Sequence, residues 1–339
     1  MQGSGKKKSS SRMAINGMGR IGRTLFRLLY EKSSIGSLIA VNDIMPKDNL
    51  IYLLTHDSIR GSFRGKIIST PNGFDVDGHE IFYHHVSHPA ELPWQKHGIQ
   101  TVVEATGLFT HSSEASQHLS GGAGRVLLTT YSKDVPSAIW GVNHLETSHD
   151  TKIISPGDCT VNCIAPLIHL VQERFGIHSV HVNVIQAYTT RQQLLDGPYK
   201  GFRRGRAAAH AIVPFEVNIK PVLEDLFPIL KNKIESLSTR VPVPCGALAD
   251  VSFFLQKETT SEAVASVILN ASRETLQKII SITSDPIVSS DILGDPHSGT
   301  VDGSLIRVTN GNHLKLLAWF DNEWGYVNRL LDWLRFLDT

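Results

Sequence analysis

Cysteine is scarce in this chain: there are 3 in 339 residues, and Cys159 and Cys163 stand only one helical turn apart. So few, so spaced, they make no disulfide framework and offer a poor ligand set for zinc, so no metal is expected. Long apolar runs are missing as well. Nothing approaches the roughly 18 residues of a membrane span and no secretory h-region is visible, so a reducing cytoplasm fits best. An excess of one charge is also absent. Lys plus Arg total 33 and Asp plus Glu 32, giving a net charge of +1, whereas polyanion-binding chains carry a clear basic surplus. The expected partner is a small molecule, with no nucleic acid and no membrane. There is no internal repeat, and the one low-complexity stretch, "MQGSGKKKSSSR", has nothing to bury and reads as a disordered tail over 1–12. What is present is an ordinary globular composition, 41% hydrophobic and 19% charged, long enough for two cored domains.

From Met13 the pattern runs through a short apolar strand, a glycine turn, an amphipathic helix to about Tyr30 and a second strand, "SLIAVND". That is a βαβ unit. Strand-like "TVVEATG" and "RVLLTT" follow, with a helical stretch at Ser112 to Leu119 between them, so residues 13–158 read as a parallel, doubly wound dinucleotide-binding domain of Rossmann type. Beyond Cys159 the texture changes. "HSVHVNVIQAY", "ALADVSFFLQK" and "LKLLAWFD" are longer alternating runs suited to a mixed or antiparallel sheet. "SEAVASVILNASRETLQKII" reads as a helix with strand character at its β-branched start. The expected class is α/β, with an α+β second domain over 159–323 and a C-terminal helix, 324–339, returning to the first.

Gly17, Gly19 and Gly22 form G-x-G-x-x-G after a strand and at the head of a helix, where bare backbone lets a pyrophosphate approach the helix N-terminus. Alone the motif is weak. Its setting is right, however, and Asp43 ends the second strand where it can accept from a ribose hydroxyl and repel a 2′-phosphate. NAD is favoured over NADP. A purely structural use of the three glycines, packing helix on sheet, accounts less well for the acid.

Cys159 follows the turn "SPGD" and opens a helical pattern, "TVNCIAPLIHLVQERFG", so it lies near a helix N-terminus whose dipole favours thiolate. Cys163 and Cys245 read as small core residues. "AINGMGRIGR", "AVND", "EATGLFT", "CTVNCIAPL", "RVPVP" and "WFDNEWGYVNR" occur in order from Met13 to the C-terminus, and the chain thereby resembles the phosphorylating glyceraldehyde-3-phosphate dehydrogenases. "DPHSGTVDG" and "DNEWGYVNR" are also similar to the sister erythrose-4-phosphate dehydrogenases. The resemblance implies NAD, a phosphorylated aldehyde or related acyl compound as substrate, and a Cys159 nucleophile that forms a thiohemiacetal and then a thioester. It implies cofactor contacts from Arg20, Ile21, Thr106, Thr129 and Asn322. It implies a homotetramer too, because "LLDGPYKGFRRGRAAAHAIVP" resembles the family's loop across a subunit interface.

The pattern breaks at the proton acceptor. The family's histidine aligns with Gln186, and an amide has no usable pKa, so general acid–base work typically worth about 10²–10⁴-fold is in question. Without an imidazolium beside it the thiol should drift toward roughly 8.5. His181, an odd number of residues earlier on the strand, faces the other side of the sheet, and His210 reaches the site only if the fold brings it there. Thr189 and Arg240 match residues that hold the substrate's phosphate, with Arg191 in place of a second threonine. For inorganic phosphate Thr160 and Arg204 match, but Asp158 replaces a serine and Val217 and Asn218 replace a threonine-glycine pair. An acid at 158 would repel phosphate and discourage thiolate, unless it serves as a helix N-cap. Three readings stay open: an NAD-dependent aldehyde dehydrogenase with altered chemistry, a catalytically weak paralogue that binds or regulates, and oxidation of a non-phosphorylating or erythrose-4-phosphate type.

Overall fold

A computed structural model describes residues 12–190, 192–216 and 219–338. The described residues fall into two compact units, 12–135 with Ser148–Ser155 and 330–338, and Pro136–Thr147 with 156–329. One change of unit falls between Ser155 and Pro156, and the bonds on either side agree with it. Ile153–Ile154 add to the first sheet and Ser155 Oγ donates to the Thr130 carbonyl at 2.9 Å, whereas Pro156 accepts from Asn162 Nδ2 at 2.7 Å and Gly157 from the Tyr326 hydroxyl at 2.8 Å.

In the first unit the strands are β1 (Met13–Asn16), β2 (Leu38–Asn42), β3 (His56–Asp57), β4 (Gly61–Ser62), β5 (Ile67–Thr70), β6 (Gly73–Val76), β7 (His79–His84), β8 (Thr101–Glu104), β9 (Arg125–Leu128) and β10 (Ile153–Ile154). Its helices are α1 (Arg20–Glu31), α2 (Lys47–Thr55) and α3 (Ser112–Ser120). The main sheet has the order β10-β9-β8-β1-β2-β7-β6-β5, parallel from β10 to β7. The wholly parallel sheet expected from the sequence needs one correction: β5 and β6 extend it antiparallel. Their turns, "TPNG" and "VDGH", are short hairpin connections, too short for the crossover a parallel neighbour requires. The central strands β1 and β8 are buried at every position, the signature of a sheet covered on both faces. Strand order reverses between β2 and β8 on either side of β1, so the glycine turn leaves β1 at the topological switch point, where such sheets take their ligands.

In the second unit α4 (Cys159–Phe175), β11 (Ile177–Ala187), β12 (Val213–Phe215), α5 (Lys220–Leu226), β13 (Ile234–Val241), β14 (Ala247–Leu255), α6 (Ser261–Arg273), β15 (Ile280–Thr283), β16 (Gly299–Asp302), β17 (Arg307–Thr309) and β18 (His313–Phe320) follow in chain order. α7 (Trp324–Leu337) closes the chain, its part from Leu330 onward grouping with the first unit. The sheet is mixed, β12-β13-β11-β14-β18-β16-β15 with β17 on β18; β11 runs parallel to β13 and antiparallel to β14. One expectation fails locally. The segment from Ser261 begins as helix, capped by the Thr260 side chain on Ala263 N–H at 3.2 Å and burying Val264, Ile268 and Ala271 at helical spacing, and its strand lies at the far end, β15. The 3.6-residue period outweighs β-branching once a cap and a buried stripe agree. No helix among the described residues is long and apolar enough to cross a membrane.

Candidate active site

The glycine turn separates packing from binding. Gly17 takes φ +95°, and a Cβ there would lie 2.6 Å from the Thr106 backbone nitrogen; one on Gly22 would lie 2.1 Å from the Gly17 carbonyl oxygen. Both positions therefore demand glycine for the protein's own sake. Gly19 does not: a Cβ there meets nothing within 4 Å, at the N-cap of α1. Its bareness matches a cradle into which a pyrophosphate descends. Around it, Asp43 accepts from Met18 N–H at 2.5 Å and from Met45 N–H at 2.8 Å, which ties the acid to the turn. Thr106 N–H donates to Glu104 at 2.8 Å, and Thr129 Oγ1 donates to the Glu104 carbonyl at 3.0 Å. Arg20 and Ile21 open α1, with the Arg20 guanidinium 2.6 Å from the Asp57 carboxylate, a partner the motif does not announce. These residues of the first unit fit a dinucleotide.

A consequence can be measured. Gly22→Ala is expected to lose roughly 1–3 kcal/mol of stability through overpacking. Gly19→Ala should melt within about 1 kcal/mol of the parent yet bind NAD at least about tenfold less tightly, with NADP the weaker ligand throughout because of Asp43. Thermal melts and calorimetric titration check both, and unchanged NAD affinity in Gly19→Ala would remove the turn from the dinucleotide site.

In the second unit Asp158 is the N-cap of α4, its Oδ1 accepting from Val161 N–H at 2.9 Å. Burial still holds its carboxyl above the ordinary range, against the lowering effect of the Val161 and Thr160 backbone N–H groups. Cys159 is the first helical residue and half-buried, with Sγ 4.0 Å from Thr160 Oγ1. Burial first, and then the neighbouring Asp158 charge, push its thiol up to about 12, while Thr160 and the Arg240 guanidinium pull weakly the other way. The sequence-based expectation of a thiol near 8.5 eased by the helix dipole is thus corrected. The dipole is there, but a carboxylate already caps it.

Gln186 is 8% exposed and donates through Nε2 to Ser238 Oγ at 2.5 Å; the Ser238 hydroxyl in turn donates to the Val184 carbonyl at 2.9 Å. His181 is exposed on β11 while Gln186 is buried, as their odd spacing requires. His210 lies near the Asp196 carboxylate in the loop ahead of β12, an acid held below its ordinary range chiefly by hydrogen bonds from Ala207 N–H and the Arg206 side chain. Arg240 pairs in register with Gln186 and donates to the Ala187 carbonyl. Burial, with a smaller contribution from Arg204, lowers Arg240 to about 10. Both guanidiniums lie over the Phe215 ring, Arg204 at 4.7 Å and Arg240 at 5.1 Å from its centre. The Thr189 carbonyl accepts from Gln192 N–H at 3.0 Å in the connection after β11. Asn322 Oδ1 accepts from Gly246 N–H at 3.0 Å and the buried Cys245 thiol at 3.4 Å, leaving its NH₂ as the group it can offer a ligand. Arg191, Val217 and Asn218 lie outside the described residues. The structure therefore gathers Cys159, Thr160, Arg240 and Arg204, and adds two residues the sequence gives no cue for, Phe215 and Ser238.

Comparison with known proteins bears on this arrangement. The profile described as glyceraldehyde 3-phosphate dehydrogenase, NAD binding domain, matches residues 11–112, and that described as glyceraldehyde 3-phosphate dehydrogenase, C-terminal domain, matches 158–322. The chain belongs to the glyceraldehyde-3-phosphate dehydrogenase family. It is 39% identical over 325 residues to glyceraldehyde-3-phosphate dehydrogenase 2 of Streptomyces avermitilis, covering 95% of this chain and 96% of that one. It is 40% identical over 326 residues to glyceraldehyde-3-phosphate dehydrogenase of Streptomyces coelicolor, with 95% and 96% covered. The enzyme of that name from Borreliella burgdorferi is 39% identical over 329 residues, with 95% and 98% covered. The α/β class with a dinucleotide-binding domain and a separate catalytic domain agrees with these matches.

Proposed function

We propose that the chain is an NAD-dependent dehydrogenase of this family that oxidises a phosphorylated aldehyde through Cys159, with proton transfer altered by Gln186. The observation that carries the reading is the cluster at the head of α4: a thiol within the field of Arg240, and Arg204 sharing the Phe215 ring with that arginine. The guanidiniums hold the anionic part of the substrate, and Thr160 supports the sulfur. Cys159 Sγ bonds to the aldehyde carbon, and its thiol proton passes to the new hydroxyl. Bound NAD would supply the hydride acceptor. The hydroxyl proton must leave as the hydride does, and the Gln186 amide, already donating to Ser238, can orient that hydroxyl but cannot take its proton. Phosphate or water then releases the acyl group from sulfur.

Incubation with NAD and glyceraldehyde 3-phosphate, followed by mass spectrometry of the intact protein and its peptides, should find an acyl group on Cys159 and none in Cys159→Ala. The high-lying thiol and the committed amide also favour a second reading, a slow paralogue whose role is binding. NAD binding with no acyl adduct would select it. We further propose a homotetramer in the cytoplasm, on the family resemblance of the segment from Leu194 to Pro214; its exposed Leu194, Leu195, Phe202 and Ile212 are apolar groups that a neighbouring copy would cover. Light scattering at micromolar concentration is expected to give four chains, and a monomer would end that proposal.

A further inference from the structure

We propose that Phe215 is a positioning residue that holds Arg204 and Arg240 together as one anion clamp, an inference that rests on the substrate-binding reading of those arginines. The three side chains come from different parts of the chain. Arg204 belongs to the turn Phe202–Gly205, Arg240 to β13 and Phe215 to the last position of β12. β12 runs antiparallel to β13 with Val213 opposite Arg240 and Phe215 opposite Ser238, which leaves the ring diagonal to Arg240 on the sheet, within reach of a long side chain. Its centre is 5.1 Å from the Arg240 guanidinium carbon and 4.7 Å from that of Arg204.

Two like charges in a part-buried site repel each other, and Arg240 shows it: burial and the Arg204 charge both disfavour its cationic form. The negative face of an aromatic ring offsets that repulsion where a carboxylate would neutralise the clamp and spoil it for an anion. A guanidinium over a ring face also keeps its N–H groups directed edgewise, free to fork onto phosphate oxygens. Arg240 is held further by its bond to the Ala187 carbonyl. An aliphatic residue at 215 would fill the space but supply neither the quadrupole nor the flat face. Ser238, opposite the ring's own position, is engaged with Gln186 and Val184, so the strand pair that carries the clamp is also the one that fixes the amide.

The test is calorimetric titration of the full chain with inorganic phosphate, run in parallel with Cys159 labelling by phosphorylated and unphosphorylated aldehydes. Phe215→Leu is expected to weaken phosphate binding about tenfold, within the range of a few to some tens of fold per cation–π contact. It should lower the ratio of phosphorylated to unphosphorylated labelling by a similar factor, and Phe215→Tyr should return both to within about twofold of the parent. If the Leu variant loses its cooperative melt, Phe215→Met replaces it. Unchanged phosphate affinity without the ring, a Tyr variant as weak as Leu, or no phosphate binding by the unaltered chain would each overturn the proposal. Ring-dependent phosphate binding with no acyl adduct on Cys159 would uphold the clamp while removing the dehydrogenase reading, so the two failures are distinct.

Discussion

Exchange of the Cys159 thiol with a small neutral disulfide is expected to run about 10²-fold slower at pH 7 than that of an unperturbed thiol, and to keep rising well beyond pH 9. Two opposing effects set that figure. With its thiol pushed up to about 12, against roughly 8.5 for a free one, Cys159 has on the order of 10³-fold less thiolate at neutral pH. A more basic thiolate is the better nucleophile, and a Brønsted slope of about 0.4–0.5 returns between 10- and 10²-fold. Depletion wins. The rate should therefore climb about tenfold per pH unit up to the limit of folding, where a free thiol levels off near pH 9. Asp158→Asn keeps a good N-cap but removes the charge, so it should raise the neutral rate several-fold without moving the melting temperature by more than a few degrees. Peptide mapping separates Cys159 from Cys163 and Cys245, both buried. A profile that plateaus below pH 8 would mean that the thiolate is already formed in the resting protein, and the argument from burial and Asp158 would fail.

What the sequence made legible was local. The G-x-G-x-x-G turn, the helix that Cys159 opens and the parity that turns His181 away from Gln186 all depend on spacing within one element, and spacing is what a sequence displays. That Asp158 caps α4 rests on its bond to Val161 N–H, a contact that spacing does not display, and the cap leaves its charge beside the thiol. Phe215 could not be found that way. It acquires its place from the pairing of β12 with β13, and Arg204 and Arg240 reach it from separate elements. Ser238 is similar: it lies 52 residues from Gln186 in sequence and beside it in the sheet, across the parallel β11–β13 ladder. The Asp57 partner of Arg20 and the antiparallel edge formed by β5 and β6 are likewise tertiary facts.

Gln186→His should increase single-turnover NADH formation on the order of 10²-fold, the lower end of what general base catalysis supplies, and only when Asp158 is changed as well should the gain move toward the upper end of roughly 10⁴-fold. The geometry around Gln186 gives the reason. Ser238 spends its hydroxyl proton on the Val184 carbonyl, so toward position 186 it can only accept. An imidazole there would donate one ring N–H to Ser238 and leave its other nitrogen unprotonated, the tautomer a base needs. Once protonated, that ring would also favour the thiolate, as the amide cannot. Asp158 opposes it from the cap of α4, where its charge raises the Cys159 thiol. In Gln186→His alone the imidazolium and the carboxylate therefore pull the sulfur in opposite senses, and the gain should be smaller than in Gln186→His with Asp158→Ser, in which a serine still caps the helix but carries no charge. The expected order of rates is parent, single Gln186→His, double variant, with the acid limb of the pH–rate profile moving into the range of an ordinary histidine, about 6.5, in both variants. Equal rates in all three, with NAD affinity intact and Cys159 still acylated, would show that the proton leaves by another route and that Gln186 does not limit the reaction.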